Sequence, residues 1–260
     1  MEPTSALMQK NPQKFYDEFA ELHERLVSLS SRRSRELPFY KQLIQDFQLR
    51  NVLDLACGTG HHAIFFTELG LLVDAMDLSD SMLKMAKENA SMAGLSIGFK
   101  KGDFRTFTQY YPGTYDAIIC LGNSLPYLKE KNEIQKLICD IANHLNNSGL
   151  CILEFRNYDY LMAQKPRFFP LSLKENSGFI YVLDYLDNEI VFNLLYLDLK
   201  TEELKTFETT YYPLLYGDIK EYLKQAGLKI IQQWENYSKS PFDVVNSPRL
   251  LLIEIGRAHV

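Results

Sequence analysis

The sequence predicts a doubly wound, Rossmann-like α/β fold: a mostly parallel seven-stranded sheet, an N-terminal helical lid and an inserted antiparallel three-stranded meander. Three observations carry this expectation. Between Asn51 and Phe155, short apolar runs alternate with helix-length amphipathic segments, as in a parallel sheet wound by crossover helices. The first run ends in a glycine turn, Gly58-Thr59-Gly60. From Phe179 to Tyr212, three strand-length runs succeed one another with no helix-length spacer, which calls for antiparallel pairing.

The elements follow in order. Phe15, Phe19, Leu22, Leu26 and Leu29 recur at helical spacing. A second helix is expected over Glu36–Phe47. Asn51–Ala56 is an apolar run suited to a strand buried on both faces, and His61–Leu69 is the helix after the glycine turn. Leu71–Met76 is the second strand. Ser79 suits the N-cap of a helix through Met92, which Gly94 closes. Ile97–Lys100, Tyr115–Leu121 and Leu150–Phe155 are further strands. Ile134, Leu137, Ile138, Ile141 and Leu145 mark a helix that Asn147-Ser148-Gly149 should end. The meander comprises Phe179–Tyr185, Ile190–Asp198 and Leu204–Tyr212. A helix over Asp218–Ala226, capped by Gly227, and strands Leu228–Trp234 and Leu250–Ile253 complete the sheet.

These boundaries divide the chain into a helical lid (1–47), a cofactor-binding core (48–156), a substrate-side insertion (157–215) and a C-terminal completion (216–254). The final stretch Glu254–Val260 reads like a translated adapter, so 255–260 is expected to be a non-native tail and is kept out of the fold.

Composition narrows the function. Of 260 residues, 46% are apolar, enough for one sizeable core. The net charge is −5, from 28 basic and 33 acidic residues. The short basic cluster Arg32-Arg33-Ser34-Arg35 reads as a solvated helix face, so no nucleic-acid partner is expected. Cys57, Cys120, Cys139 and Cys151 have no metal-ligand spacing, and adjacent His61 and His62 point about 100° apart on a helix. No metal site is expected. Apolar runs fall short of the ~20 residues of a membrane span, and no signal-peptide core opens the chain. A cytoplasmic protein without membrane contact is expected, and a homo-oligomer is compatible with the sequence.

Ligands of open α/β sheets bind outside the carboxyl ends of the strands, where strand order reverses. Glycine there lets backbone approach a ligand closely. Asp77 stands 19 residues after Gly58, at the end of the second run, where a carboxylate can accept both hydroxyls of a ribose. Gly58-x-Gly60-x-x-Ala63 also fits a dinucleotide fingerprint, so a dehydrogenase stays open at this point. Asp54 favours a different ligand. A buried acid needs a partner; an ammonium and a sulfonium supply favourable charge, whereas a pyrophosphate is repelled. Asp103-Phe104, after the third strand, offers an acceptor for an exocyclic amine and a ring face for an adenine.

Val52-Leu53-Asp54-Leu55-Ala56-Cys57-Gly58-Thr59-Gly60 resembles motif I of class I S-adenosylmethionine-dependent methyltransferases. Asp116–Ser124, Arg156-Asn157-Tyr158-Asp159-Tyr160 and Tyr211-Tyr212-Pro213 resemble, more narrowly, runs of the glycine N-methyltransferases, and the likeness extends from Tyr16 to Ile253. The resemblance implies S-adenosyl-L-methionine as cofactor, held by Tyr16, Arg35, Asp54, Ala56, Gly58, Gly60, Asp77, Met82, Asp103, Phe104 and Leu121. It implies a catalytic, acceptor-side set of Asn123, Arg156, Tyr196 and Tyr212, and a small-molecule acceptor such as glycine or sarcosine. Arg25 and Ser28 stand where that family has a tryptophan and a substrate tyrosine. Arginine can hold a carboxylate bidentately, and in-line methyl transfer to a neutral amine needs alignment more than a base. A methyltransferase for another amine or hydroxyl acceptor is the alternative within the enzyme class, and a non-catalytic cofactor-binding module lies further off.

Overall fold

The computed structural model describes residues 12–169, 172–174 and 176–256. Helices α1 (Pro12–Leu26) and α2 (Leu29–Phe47) precede a wound sheet. Its elements are β1 (Asn51–Asp54), α3 (His61–Glu68), β2 (Leu72–Asp77), α4 (Asp80–Met92), β3 (Gly98–Lys101), β4 (Tyr115–Cys120), α5 (Lys131–Asn143) and β5 (Leu145–Arg156). Helix α6 (Tyr158–Gln164) leads into strands β6 (Ser172–Lys174), β7 (Ser177–Tyr185), β8 (Ile190–Asp198) and β9 (Glu203–Tyr211). Helix α7 (Tyr216–Ala226) and strands β10 (Lys229–Trp234) and β11 (Arg249–Ile255) return to the main sheet.

The seven-stranded sheet has the order β10-β11-β5-β4-β1-β2-β3, parallel except at β11. Strand order reverses between β1 and β4, so their carboxyl ends diverge and leave the crevice that this topology offers to ligands. The meander forms a second, antiparallel sheet, β6-β7-β8-β9. One apolar cluster unites Phe15 and Phe19 of α1, Leu53 of β1, Leu153 of β5 and Phe192 and Tyr211 of the second sheet. Burial of this shared face, at roughly 25 cal/mol per Å2 of apolar surface, holds the two sheets together.

Four details depart from the expectation, each for a local reason. Ser28 accepts the N–H of Ser31 and starts α2 seven residues earlier than expected. Helix α5 stops at Asn143, and Asn147-Ser148-Gly149 falls inside β5, where the register against β4 shifts and Ser148 takes a φ of 61°. Helix α6 and strand β6 were not expected; Asn157 caps the former, its Oδ1 accepting the N–H of Asp159 at 3.1 Å. Strand β11 runs through Glu254 and Ile255, which pair with Cys151 and Leu150, so these two residues belong to the sheet. Residues 257–260 lie outside the described residues. The Glu254 carboxyl is fully buried beside the Cys151 thiol, and burial pushes its pKa well above the usual carboxylate range. Among the described residues, no helix is long and apolar enough to cross a membrane.

Candidate active site

The carboxyl ends of β1, β2 and β4 open into a cavity of about 220 Å3 roofed by α1 and α2. Its floor is the turn after β1. Gly58, at φ 54°, has open space where a side chain would project. Asp77 crosses beneath: its Oδ2 accepts the N–H of Gly58 at 2.8 Å and its Oδ1 that of Ser79 at 2.9 Å. Burial raises the Asp77 pKa against these two bonds. Each oxygen keeps a further lone pair for a hydroxyl donor. Ala56, Met82 and Leu121 supply apolar walls, and Phe104 lines the cavity beside Asp103. Arg105 holds the Asp103 carboxylate in place, through its N–H and Nε at 2.9 Å each.

Asp54 ends β1 under this floor. Its Oδ1 takes only a long bond from Ala56 N–H, 3.4 Å, and its Oδ2 is buried with no partner among the described residues. Burial lifts its pKa to about 7. A buried carboxyl in this state favours a cation arriving nearby.

A second set of side chains gathers beyond the cavity, where β5 ends against the antiparallel sheet. The Arg156 guanidinium lies over the rings of Phe169 and Phe192, at 4.9 and 5.5 Å from their centroids. Among the described residues no carboxylate pairs with it. Burial, and then the charge of Arg249, lower its pKa. Asn123, at φ 72°, turns its Oδ1 to the backbone N–H of Arg156 at 2.9 Å and its amide to Tyr158 Oη at 3.2 Å. Tyr127 Oη links Tyr16, at 3.2 Å, to Tyr211, at 3.1 Å. Tyr16 and Tyr127 line the cavity, so this hydroxyl chain runs from the cavity toward Arg156.

The expected residues therefore divide. Tyr16, Ala56, Gly58, Asp77, Met82, Asp103, Phe104 and Leu121 line one cavity, with Asp54 below it. Gly60 does not line it. At φ 82° it caps α3, and a Cβ there would meet Ala86 Cβ at 3.0 Å, so it serves helix packing. Arg35 points out, half exposed and bound to Glu36 at 2.7 Å; Arg32, one turn earlier, lines the cavity. Tyr196 lies outside the acceptor-side cluster: its hydroxyl accepts from Arg25 Nη1 at 2.9 Å and donates to Asp198 at 3.2 Å. Tyr212 faces Lys131 at the solvent edge, while Tyr211 points inward. Tyr211 is the last residue of β9, and Tyr212 lies just past it, where its N–H turns to Pro126 O at 2.8 Å. Sequence reasoning also missed Tyr127 and the histidines His23 and His61, which line the cavity. Their only signal was position: His61 directly follows the glycine turn.

A carboxylate with lone pairs to spare beside the glycine turn, an aromatic flank next to Asp103 and an orphaned buried acid fit a cationic nucleoside. Residues 52–149 match the model of the methyltransferase domain family. The chain is 26% identical over 230 residues to glycine/sarcosine N-methyltransferase of Parasynechococcus marenigrum, covering 87% of this chain and 80% of that one. It is 32% identical over 151 residues to the enzyme of the same name from Aphanothece halophytica, covering 58% of this chain and 57% of the relative. An S-adenosylmethionine-dependent methyltransferase from Clostridium acetobutylicum superposes with a TM-score of 0.77 at 21% identity, over 93% of this chain and 99% of that one. The methyltransferase domain over residues 52–149, the fold and these likenesses support an S-adenosylmethionine-dependent methyltransferase that resembles the glycine N-methyltransferases.

Proposed function

We propose that the chain methylates the nitrogen of a small amino acid of the glycine or sarcosine kind. The observation that carries this reading is Arg156: a largely enclosed guanidinium, stacked on two aromatic rings and without an acidic partner among the described residues. A buried cation left unpaired is costly, and a substrate carboxylate is the counter-ion that completes it bidentately. The named activities of the two relatives agree with a carboxylate-bearing acceptor.

When bound, S-adenosylmethionine supplies an electrophilic methyl group on a sulfonium. Asp77 would take its ribose, Asp103 and Phe104 its adenine, and Asp54 with the Gly58 turn its positive end; Arg32 and Tyr16 would close over the amino-acid tail. The acceptor's carboxylate pairs with Arg156. Asn123 acts as a positioning residue, fixing the backbone of Arg156 across the ends of β4 and β5. Tyr16, Tyr127 and Tyr211 place a linked set of hydroxyl oxygens between the two compartments, and electron-rich groups there would stabilise a cation. Helix α1 roofs the site and excludes water, so alignment supplies the rate, up to ~7–11 kcal/mol in favourable cases. No base is needed for an amine that arrives neutral.

The test is a panel of amino acids, simple amines and alcohols assayed for S-adenosylhomocysteine formation. Amino acids should turn over at least 100 times faster than the amines obtained by deleting their carboxylate. Equal rates for the two groups would end this reading.

A further inference from the structure

The corner of the cavity nearest α3 carries more ionisable groups than methyl transfer uses. His61 opens α3 immediately after the glycine turn and is buried. Its Nε2 approaches Glu24 Oε1 of α1 to 2.8 Å without hydrogen-bond alignment, and both ring nitrogens are buried with no hydrogen-bond partner among the described residues. The His23 ring of α1 stands 6.4 Å away, centroid to centroid, and its Nδ1 is likewise unpartnered. Helix α2 adds Arg32, which lines the cavity, and Glu36, 2.8 Å from His62 Nε2. Asn89 of α4 donates to Glu24 at 3.2 Å, and Asp54 ends the strand below.

Asp103 follows β3, the strand beyond β2, whereas His61 starts the helix after β1. An adenine at Asp103 and Phe104 and a ribose at Asp77 therefore leave the His61 corner for the amino-acid tail of the donor. This step rests on the cofactor placement proposed above. Chemistry at the imidazole then follows from counting donors. A neutral imidazole carries one N–H, a protonated one carries two. Glu24 already presents an acceptor to Nε2. A tail carboxylate at Nδ1 is a second acceptor.

We propose that His61 binds the carboxylate of the donor's amino-acid tail as an imidazolium, taking one proton from solvent as the ligand enters and bridging that carboxylate to Glu24 of the lid.

Three charges bear on this proton. The positive charge of Arg32 opposes it; Glu24 and Glu36 favour it. His23 stays neutral, since burial and then the charge of Arg32 lower its pKa to about 3. Asp54 moves the other way, because the ligand's ammonium favours its ionised form and releases a proton. The net proton count therefore mixes two sites, and the imidazole itself must be observed.

The experiment uses full-length protein labelled with 15N in histidine, at pH 6.5, titrated with S-adenosylhomocysteine and, separately, with 5′-methylthioadenosine, which lacks the amino-acid tail. His61→Gln assigns the resonance. S-adenosylhomocysteine should move both ring nitrogens of His61 to imidazolium shifts, while methylthioadenosine leaves them unchanged. Calorimetry should show His61→Gln lowering S-adenosylhomocysteine affinity about tenfold and methylthioadenosine affinity less than twofold. A His61 ring that keeps the same protonation state with both ligands overturns the inference and leaves the cofactor assignment standing. Failure of S-adenosylhomocysteine to bind the folded protein overturns both.

Discussion

Asn123 Oδ1 accepts the backbone N–H of Arg156 at 2.9 Å, a bond that joins the ends of two adjacent parallel strands. Asn123 takes φ 72° to make it, a conformation that asparagine tolerates better than most side chains. Two residues expected to touch the acceptor side by side thus play unequal parts. One presents a free guanidinium; the other spends its carbonyl on holding it.

Arg156→Leu should lower kcat/KM for an amino-acid acceptor about 100- to 1,000-fold, equivalent to roughly 3–4 kcal/mol for a lost charge-assisted pair. S-adenosylhomocysteine affinity, measured by calorimetry, should stay within twofold. Parallel loss of both would place Arg156 in the donor site.

The tyrosines offer a comparison of neighbours. Tyr211→Phe removes one end of the hydroxyl chain through Tyr127 and should reduce kcat about tenfold, the scale of one hydrogen bond of roughly 1–1.5 kcal/mol. Tyr212→Phe and Tyr196→Phe should leave kcat within twofold. Steady-state kinetics on the three variants decides, and a larger loss for Tyr212 than for Tyr211 would refute the facing described above.

Gly60→Ala should destabilise the fold by about 1–3 kcal/mol through its left-handed backbone, beyond which the new Cβ presses on Ala86. Chemical denaturation reads this. Gly58→Ala carries similar backbone strain but projects into open space, so its additional effect should fall on donor affinity.

Glu254→Leu should stabilise the protein at neutral pH. The folded-state pKa of Glu254 is raised above its unfolded value near 4.5. The folded state therefore keeps its proton while the unfolded chain loses one. Stability from this group is greatest below pH 4.5 and falls as pH rises toward the folded-state pKa. The variant should remove that decline, so its gain in melting temperature should be larger at pH 7.5 than at pH 4.5. An equal gain at both values would show that the carboxyl is not neutral in the fold.

Much of the cavity was legible because its lining sits at strand ends. Asp54, Gly58 and Asp77 are fixed by where an apolar run stops, and a run's end survives small errors of alignment. Tyr211 and Arg32 were not legible because their orientation depends on phase. The point where β9 stops decides between Tyr211 and Tyr212, and the Ser28 cap decides where α2 begins. The histidines were discounted as a pair because adjacent residues diverge on a helix. They do diverge, and each finds an acid on a different lid helix, Glu24 or Glu36; sequence gave no sign of which helices would meet them.

The chain leaves the wound sheet after α6 and rejoins it at α7. The strands between form a sheet of their own, whereas the carboxylates Asp54, Asp77 and Asp103 come from β1, β2 and the turn after β3. Mutations in that layer can thus reshape what is methylated without disturbing the grip on the methyl source. Tyr127, which belongs to neither segment, is the side chain whose hydroxyl ties the two together, meeting Tyr16 on one side and Tyr211 on the other.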